Sequence, residues 1–143
     1  MIKVEQSVII KKPVEEVFAY SQDVENAAKW QNGVDSVVMV EGPDNTVGSH
    51  YAELRKFLGK EMRTTLEITE FKENEKWGAK VIKGPLSYEV TMTYEAVPEG
   101  TKIITAVKAE PKGFFKLAEN AVASSLEKSL REDFATLKAQ LES

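Results

Sequence analysis

The chain has 143 residues, which fits one domain (1–143) and a core that needs no disulfide or structural metal. It has no cysteine and one histidine, His50, which excludes thiolate and multi-histidine metal sites, iron–sulfur clusters and cysteine nucleophiles. With 19 Lys and Arg against 23 Asp and Glu, the net charge is −4, so no nucleic-acid partner is expected, because phosphate binding needs concentrated positive charge.

The longest apolar runs are Val17 to Tyr20 and Val37 to Val40. Both are far short of the roughly 20 residues that a membrane span requires, so no stable membrane insertion is expected. Lys3, Glu5, Lys11 and Lys12 interrupt the start, and with no leader segment apparent the default expectation is a cytoplasmic location.

Ile2, Val4, Val8 and Ile10 share one face and Lys3, Glu5, Ser7 and Lys11 the other, the alternation of a strand with one wet face. Pro13 presets a helical φ, and Glu15 and Glu16 favour the positive end of the helix dipole. Val14, Val17 and Phe18 then repeat at helical spacing, so a short helix is expected to about Ser21. A second short helix is expected over Val24 to Trp30, stopped by Asn32 and Gly33.

Six β-rich segments follow: Val34 to Val40, Val47 to Leu58, Lys60 to Phe71, Trp77 to Ile82, Leu86 to Val97 and Thr101 to Glu110. Each break carries Gly, Pro, Asn or Asp, residues with a mechanism for turning the chain. Links this short join antiparallel neighbours, since a parallel pair needs a crossover of a dozen residues or more.

The last segment, Gly113 to Ser143, reads as one long helix. Its stripe runs through Phe114, Ala118, Val122, Leu126, Leu130, Phe134, Leu137 and Leu141. Lys112, Phe114, Phe115 and Lys116 sit oddly at its start. Lysines there oppose the dipole, and two adjacent phenylalanines cannot share one stripe. They read either as a gate or docking patch, or as a solvated turn with one phenylalanine in the core. The predicted class is α+β, a seven-stranded curved antiparallel sheet whose apolar face is covered by this helix.

In this order the segments resemble the helix-grip (SRPBCC) superfamily, which includes the START lipid-transfer domains, the birch-pollen-allergen-like proteins and the small bacterial polyketide cyclase/dehydrase group. The resemblance spans the whole chain. It rests on Ile10, Pro13, Val14, Glu16, Val17 and Phe18, on Asp23 with Trp30, and on Val47 with Gly48. Further along it rests on Ile68, Thr69, Glu70 and Phe71, on Gly100 with Thr101, and on Leu137, Lys138, Leu141 and Glu142. It implies a sheet gripping the long helix around an elongated, mostly apolar cavity for lipids, polyketides or other hydrophobic molecules. It does not by itself imply an enzyme.

The strand faces then nominate the wall. On the strand after Gly84–Pro85 they select Tyr88, Val90 and Met92, on the fourth strand Met62 and Leu66, and on the fifth Trp77. The helix stripe contributes Phe114 and Ala118. On the third strand the odd residues Tyr51, Glu53, Arg55 and Phe57 face inward if Val47 does. Glu53 and Arg55 then read either as a polar anchor for a ligand head group, or as an ion pair near the mouth or on the outer face. The cavity should fall in the ligand-site range of roughly 300–1,000 Å³.

No catalytic or metal-binding residue and no cofactor is predicted. His50 and Ser49 point to opposite faces and cannot form a nucleophile–base pair. There is no glycine-rich phosphate loop. The expected function is a binding or carrier protein for a hydrophobic small molecule, the alternative a cyclase, dehydrase or aromatase using Glu53, Arg55, Tyr51 or Tyr88. An interaction module presenting the helix, and a homodimer, are left open.

Overall fold

The computed structural model describes residues 1–143. Strand β1 (Ile2–Ile10) leads into helix α1 (Val14–Gln22), a 3-10 turn (Val24–Asn26) and helix α2 (Ala27–Trp30). Strands β2 (Val34–Glu41), β3 (His50–Phe57), β4 (Lys60–Lys72), β5 (Lys76–Lys83), β6 (Ser87–Val97) and β7 (Gly100–Glu110) follow. The chain ends in α3 (Phe114–Leu117) and α4 (Glu119–Glu142). All seven strands form one antiparallel sheet ordered β1-β7-β6-β5-β4-β3-β2, so the first strand reaches its only strand partner at the end of the meander.

Gly100 shows why the last hairpin needs a glycine. Its φ is +141°, and a Cβ there would sit 2.3 Å from the Ile10 carbonyl oxygen. The adjacent Thr101 hydroxyl donates to the Lys12 carbonyl at 2.8 Å, tying β7 to the turn after β1.

The long helix expected from Gly113 is broken. Ala118 (φ −112°, ψ 32°) leaves the helical region and separates the single turn of α3 from α4. The break lets Phe115 turn into the core against Phe57, ring centroids 6.0 Å apart, while Phe114 stays outside. At 24 residues α4 is about 36 Å long. Val47, expected at the start of the third strand, lies in the β2–β3 loop and is exposed. No helix is long and apolar enough to cross a membrane.

Helix α4 lies along β1 and closes over the concave face. Its C-terminal half packs Phe134, Leu137 and Leu141 against Ile10, Val17, Phe18 and Ile103. Toward its start, Val122 joins Phe115, Ile2, Val4 and Leu86 in a second cluster. A third cluster on the sheet itself gathers Tyr51, Leu66, Ile68 and Ala79. The space between these three clusters holds the site.

Candidate functional site

A mostly apolar cavity of 160 Å³, partly open to solvent, lies between the middle of α4 and the sheet. Leu126, Ser129, Leu130 and Phe134 form its helical side. The half-buried Val37 and Met39 of β2 border it near Asp23, Val24 and Asn45, which lie in the segments after α1 and β2. The cavity is smaller than the range expected from the sequence, because Trp30, Trp77, Tyr51, Tyr88 and Phe134 all project toward the same space.

Strand parity explains most of the wall. Tyr51 pairs with Leu66, and Arg55 with Met62, across β3 and β4. Trp77 pairs with Met92, and Ala79 with Val90, across β5 and β6. Tyr51, Glu53, Arg55, Met62, Leu66, Trp77, Tyr88, Val90 and Met92 therefore all line the cavity.

The other two nominated residues do not. Phe114 is nearly half exposed, with the Lys60 ammonium over its ring, and Ala118 lies at the helix break. The cause is the same break, which rotates the stripe of α3 away from that of α4. His50 is on the outer face near Glu41 and Glu67.

Glu53 and Arg55 face inward and pair with each other, Arg55 Nε donating to Glu53 Oε1 at 2.5 Å. Arg55 also donates from Nη2 to Gln31 Oε1 at 3.2 Å. Burial works against the charged guanidinium, but Glu53 and Tyr88 beside it outweigh that and raise its pKa. Across the cavity, Asp133 of α4 is 7% exposed and accepts from the Asn32 backbone N–H at 2.9 Å and from Asn32 Nδ2 at 3.3 Å. Burial pushes its carboxyl up to about 6, against the opposing pull of Asn32 and Arg55.

Tyr51 and Tyr88 have no hydrogen-bond partner in the protein, and burial first, then Glu53, raises both above the ordinary phenol value. Tyr94, by contrast, is satisfied by Ser21 and by Gln22, each at 2.7 Å. Burial pushes it up to about 12. Trp30 Nε1 and Thr64 Oγ1 are sealed in without partners.

Asp133 is the residue that sequence reasoning missed, although a signal for it was present. It sits three residues after Leu130 and four before Leu137, on the stripe that should be apolar. Gln31 has no comparable pattern. No three of His, Cys, Asp and Glu gather as a metal-ligating group.

The family described as polyketide cyclase/dehydrase and lipid transport matches residues 1–142. No curated protein matches the chain at a significant level. Among solved structures, a START superfamily protein from Mycobacterium smegmatis is similar at TM-score 0.79 and 14% identity, covering 98% of this chain and 97% of that one. The major latex-like protein 151 from Panax ginseng is similar at TM-score 0.77 and 15% identity, over 97% and 96%. A protein from Thermus thermophilus reaches TM-score 0.73 and 20% identity, over 97% of both chains. At these identities the likeness is one of fold.

Proposed function

The chain belongs to the polyketide cyclase/dehydrase and lipid transport family, and from that premise we propose that it is a binding or carrier protein for a hydrophobic small molecule. The observation that carries this reading is the mostly apolar cavity between α4 and the sheet, which the chain's own side chains leave unfilled. At 160 Å³ it matches a compact ligand, since an engineered apolar cavity of roughly 150 Å³ takes benzene.

One observation favours the enzyme reading, a cyclase or dehydrase. Asp133 gives the cavity a carboxyl that titrates near neutrality, where general acid–base catalysis works best. The carrier reading is preferred because Asp133 has no base or nucleophile in hydrogen-bond contact; its partners are the amides of Asn32.

Both tryptophans of the chain, Trp30 and Trp77, line the cavity, so their emission reports occupancy directly. Toluene should shift that emission saturably. Val90→Trp, which fills the wall between Ala79 and Val107, should weaken the binding at least about tenfold, or about 1.4 kcal/mol, while the variant still unfolds cooperatively. Toluene that never binds the wild type would remove the carrier reading.

A further inference from the structure

The charges on the cavity wall do not balance. Glu53 and Arg55 neutralise one another as a pair, and Asp133 is left over. The wall contains no lysine and no histidine, and the remaining charged residue, Asp23, is another carboxylate at the exposed edge. A carboxylate is costly to bury without a countercharge, so this excess wants a partner from outside the chain.

The hydrogen-bond inventory points the same way. Both bonds to Asp133 fall on Oδ1, and Oδ2 has no partner in the protein, although the residue is more than nine-tenths buried. Glu53, equally buried, uses Oε1 for Arg55 and leaves Oε2 free. Neither free oxygen is sealed off, unlike the two orphaned atoms Trp30 Nε1 and Thr64 Oγ1, and both belong to residues that line the cavity. The hydroxyls of Tyr51 and Tyr88 are open and unpartnered as well. Four oxygens able to accept are thus left on residues around one space walled by aromatic rings, whose faces also attract cations.

We propose that the cavity selects a compact hydrophobic molecule ending in a protonated amine over the same molecule ending in a carboxylate. The proposal rests on the carrier reading above and narrows it. An ammonium group donates three hydrogen bonds, and it carries the single positive charge that the wall lacks. A carboxylate would meet two buried carboxylates and one guanidinium already engaged by Glu53 and Gln31. A neutral hydroxyl can donate once and falls between.

The surroundings of Asp133 set a pH dependence. Arg55 of β3 favours its ionised form, and Glu132 beside it on α4 favours the protonated one. The other titratable groups on this part of the wall are Glu53 and Tyr51 of β3 and Tyr88 of β6. Protonation of Asp133 removes the excess negative charge, so the preference for an amine weakens as the pH falls through about 6.

The test uses benzylamine, benzyl alcohol and benzoate, which share one ring and differ in head group, with toluene as the head-group-free control. Binding is read from Trp30 and Trp77 emission and from calorimetry. At pH 7.5 benzylamine should bind at least about tenfold more tightly than benzoate, with benzyl alcohol between them. Asp133→Asn should remove most of that ratio, each affinity being taken relative to toluene on the same variant, and in the wild type the ratio should shrink at pH 5. Benzoate binding as well as or better than benzylamine, with toluene still bound, would overturn the amine preference and leave the carrier reading standing. If toluene fails as well, the carrier reading itself falls. Should Asp133→Asn not fold, the wild-type ratio and its pH dependence decide the matter alone.

Discussion

The middle and the C-terminal end of α4 carry the same kind of apolar stripe and meet opposite fates. Near its C-terminus, Phe134, Leu137 and Leu141 are buried because β1, β7 and α1 rise to meet them. Polar ties reinforce this half. Lys138 Nζ donates to the Ile9 carbonyl at 2.6 Å, the Lys11 amide donates to Glu142 at 2.8 Å, Gln140 donates to the Lys29 carbonyl at 2.6 Å, and Tyr20 donates to Gln140. In the middle of the helix, Leu126 and Leu130 are only half-buried and face the cavity. An apolar stripe therefore specifies that a helix will be covered, and what rises beneath it decides between solid core and binding space.

The sharpest way to break this comparison is a matched pair of truncations. Leu137→Ala, at a site with no exposed surface, should cost about 2–5 kcal/mol in urea unfolding. Leu130→Ala should cost about 1 kcal/mol, because a side chain bordering empty space has already forgone part of its packing contacts. Equal costs would mean that the middle of the helix is packed as tightly as its end.

The next effect has the opposite sign. The folded pKa of Asp133 is raised to about 6 from an ordinary 3.8, so the folded state binds this proton more tightly than the unfolded chain does. Ionised Asp133 thus lowers stability above pH 6, and the loss is relieved as the pH falls from about 6 toward 4. Its full size is at most about 3 kcal/mol. Asp133→Asn keeps an acceptor for Asn32 and should be more stable than the wild type at pH 7.5. That difference should vanish near pH 4 in denaturant titrations. A stabilising substitution at a cavity residue is what a site held for binding predicts.

The smallest effect lies at the anchored end. Lys138 and the Lys11 amide hold Glu142 below the usual carboxylate value. Its contribution is therefore present above the ordinary value near 4.5 and lost as the pH falls through the lower folded value. Glu142→Gln should lower the melting temperature slightly at pH 7 and not at all near pH 2, a smaller change than either pair above.

The strand period of two made much of this legible from sequence. Tyr88, Val90 and Met92 could face only one way, and Met62 and Leu66 opposed them through the intervening strands. Glycine and proline at the turns fixed the order of the meander. The inward face of β3 stayed open at the level of sequence, because Tyr51 and Phe57 share their parity with the charged Glu53 and Arg55, and Val47 lay beyond the strand and carried no information about it.

Two things were not legible, and a third was legible but overlooked. The break at Ala118 goes with a buried Phe115, whose contact with Phe57 lies 58 positions away in the chain. The cavity volume depends on sheet curvature, including the register shifts between Thr65 and Leu66 and between Ile68 and Glu70, which no residue type announces. Asp133 escapes notice when the C-terminal half of the helix is taken as plain scaffold, although a carboxylate on an apolar stripe marks a departure from scaffold.

The pairing of β1 with β7 also sets a timetable for folding. β1 ends at Ile10 and β7 begins at Gly100, so at roughly 5–20 residues per second a ribosome needs about 5–20 s to supply the first strand with its neighbour. The helix that covers β1 comes later still, through ties such as Lys138 to Ile9, 129 positions apart. Contacts this distant in sequence slow the search for the native state. Throughout that wait Ile2, Val4 and Ile10 lack their native cover, and the charges of Lys3 and Glu5 within the strand and of Lys11 and Lys12 just after it oppose pairing with another chain.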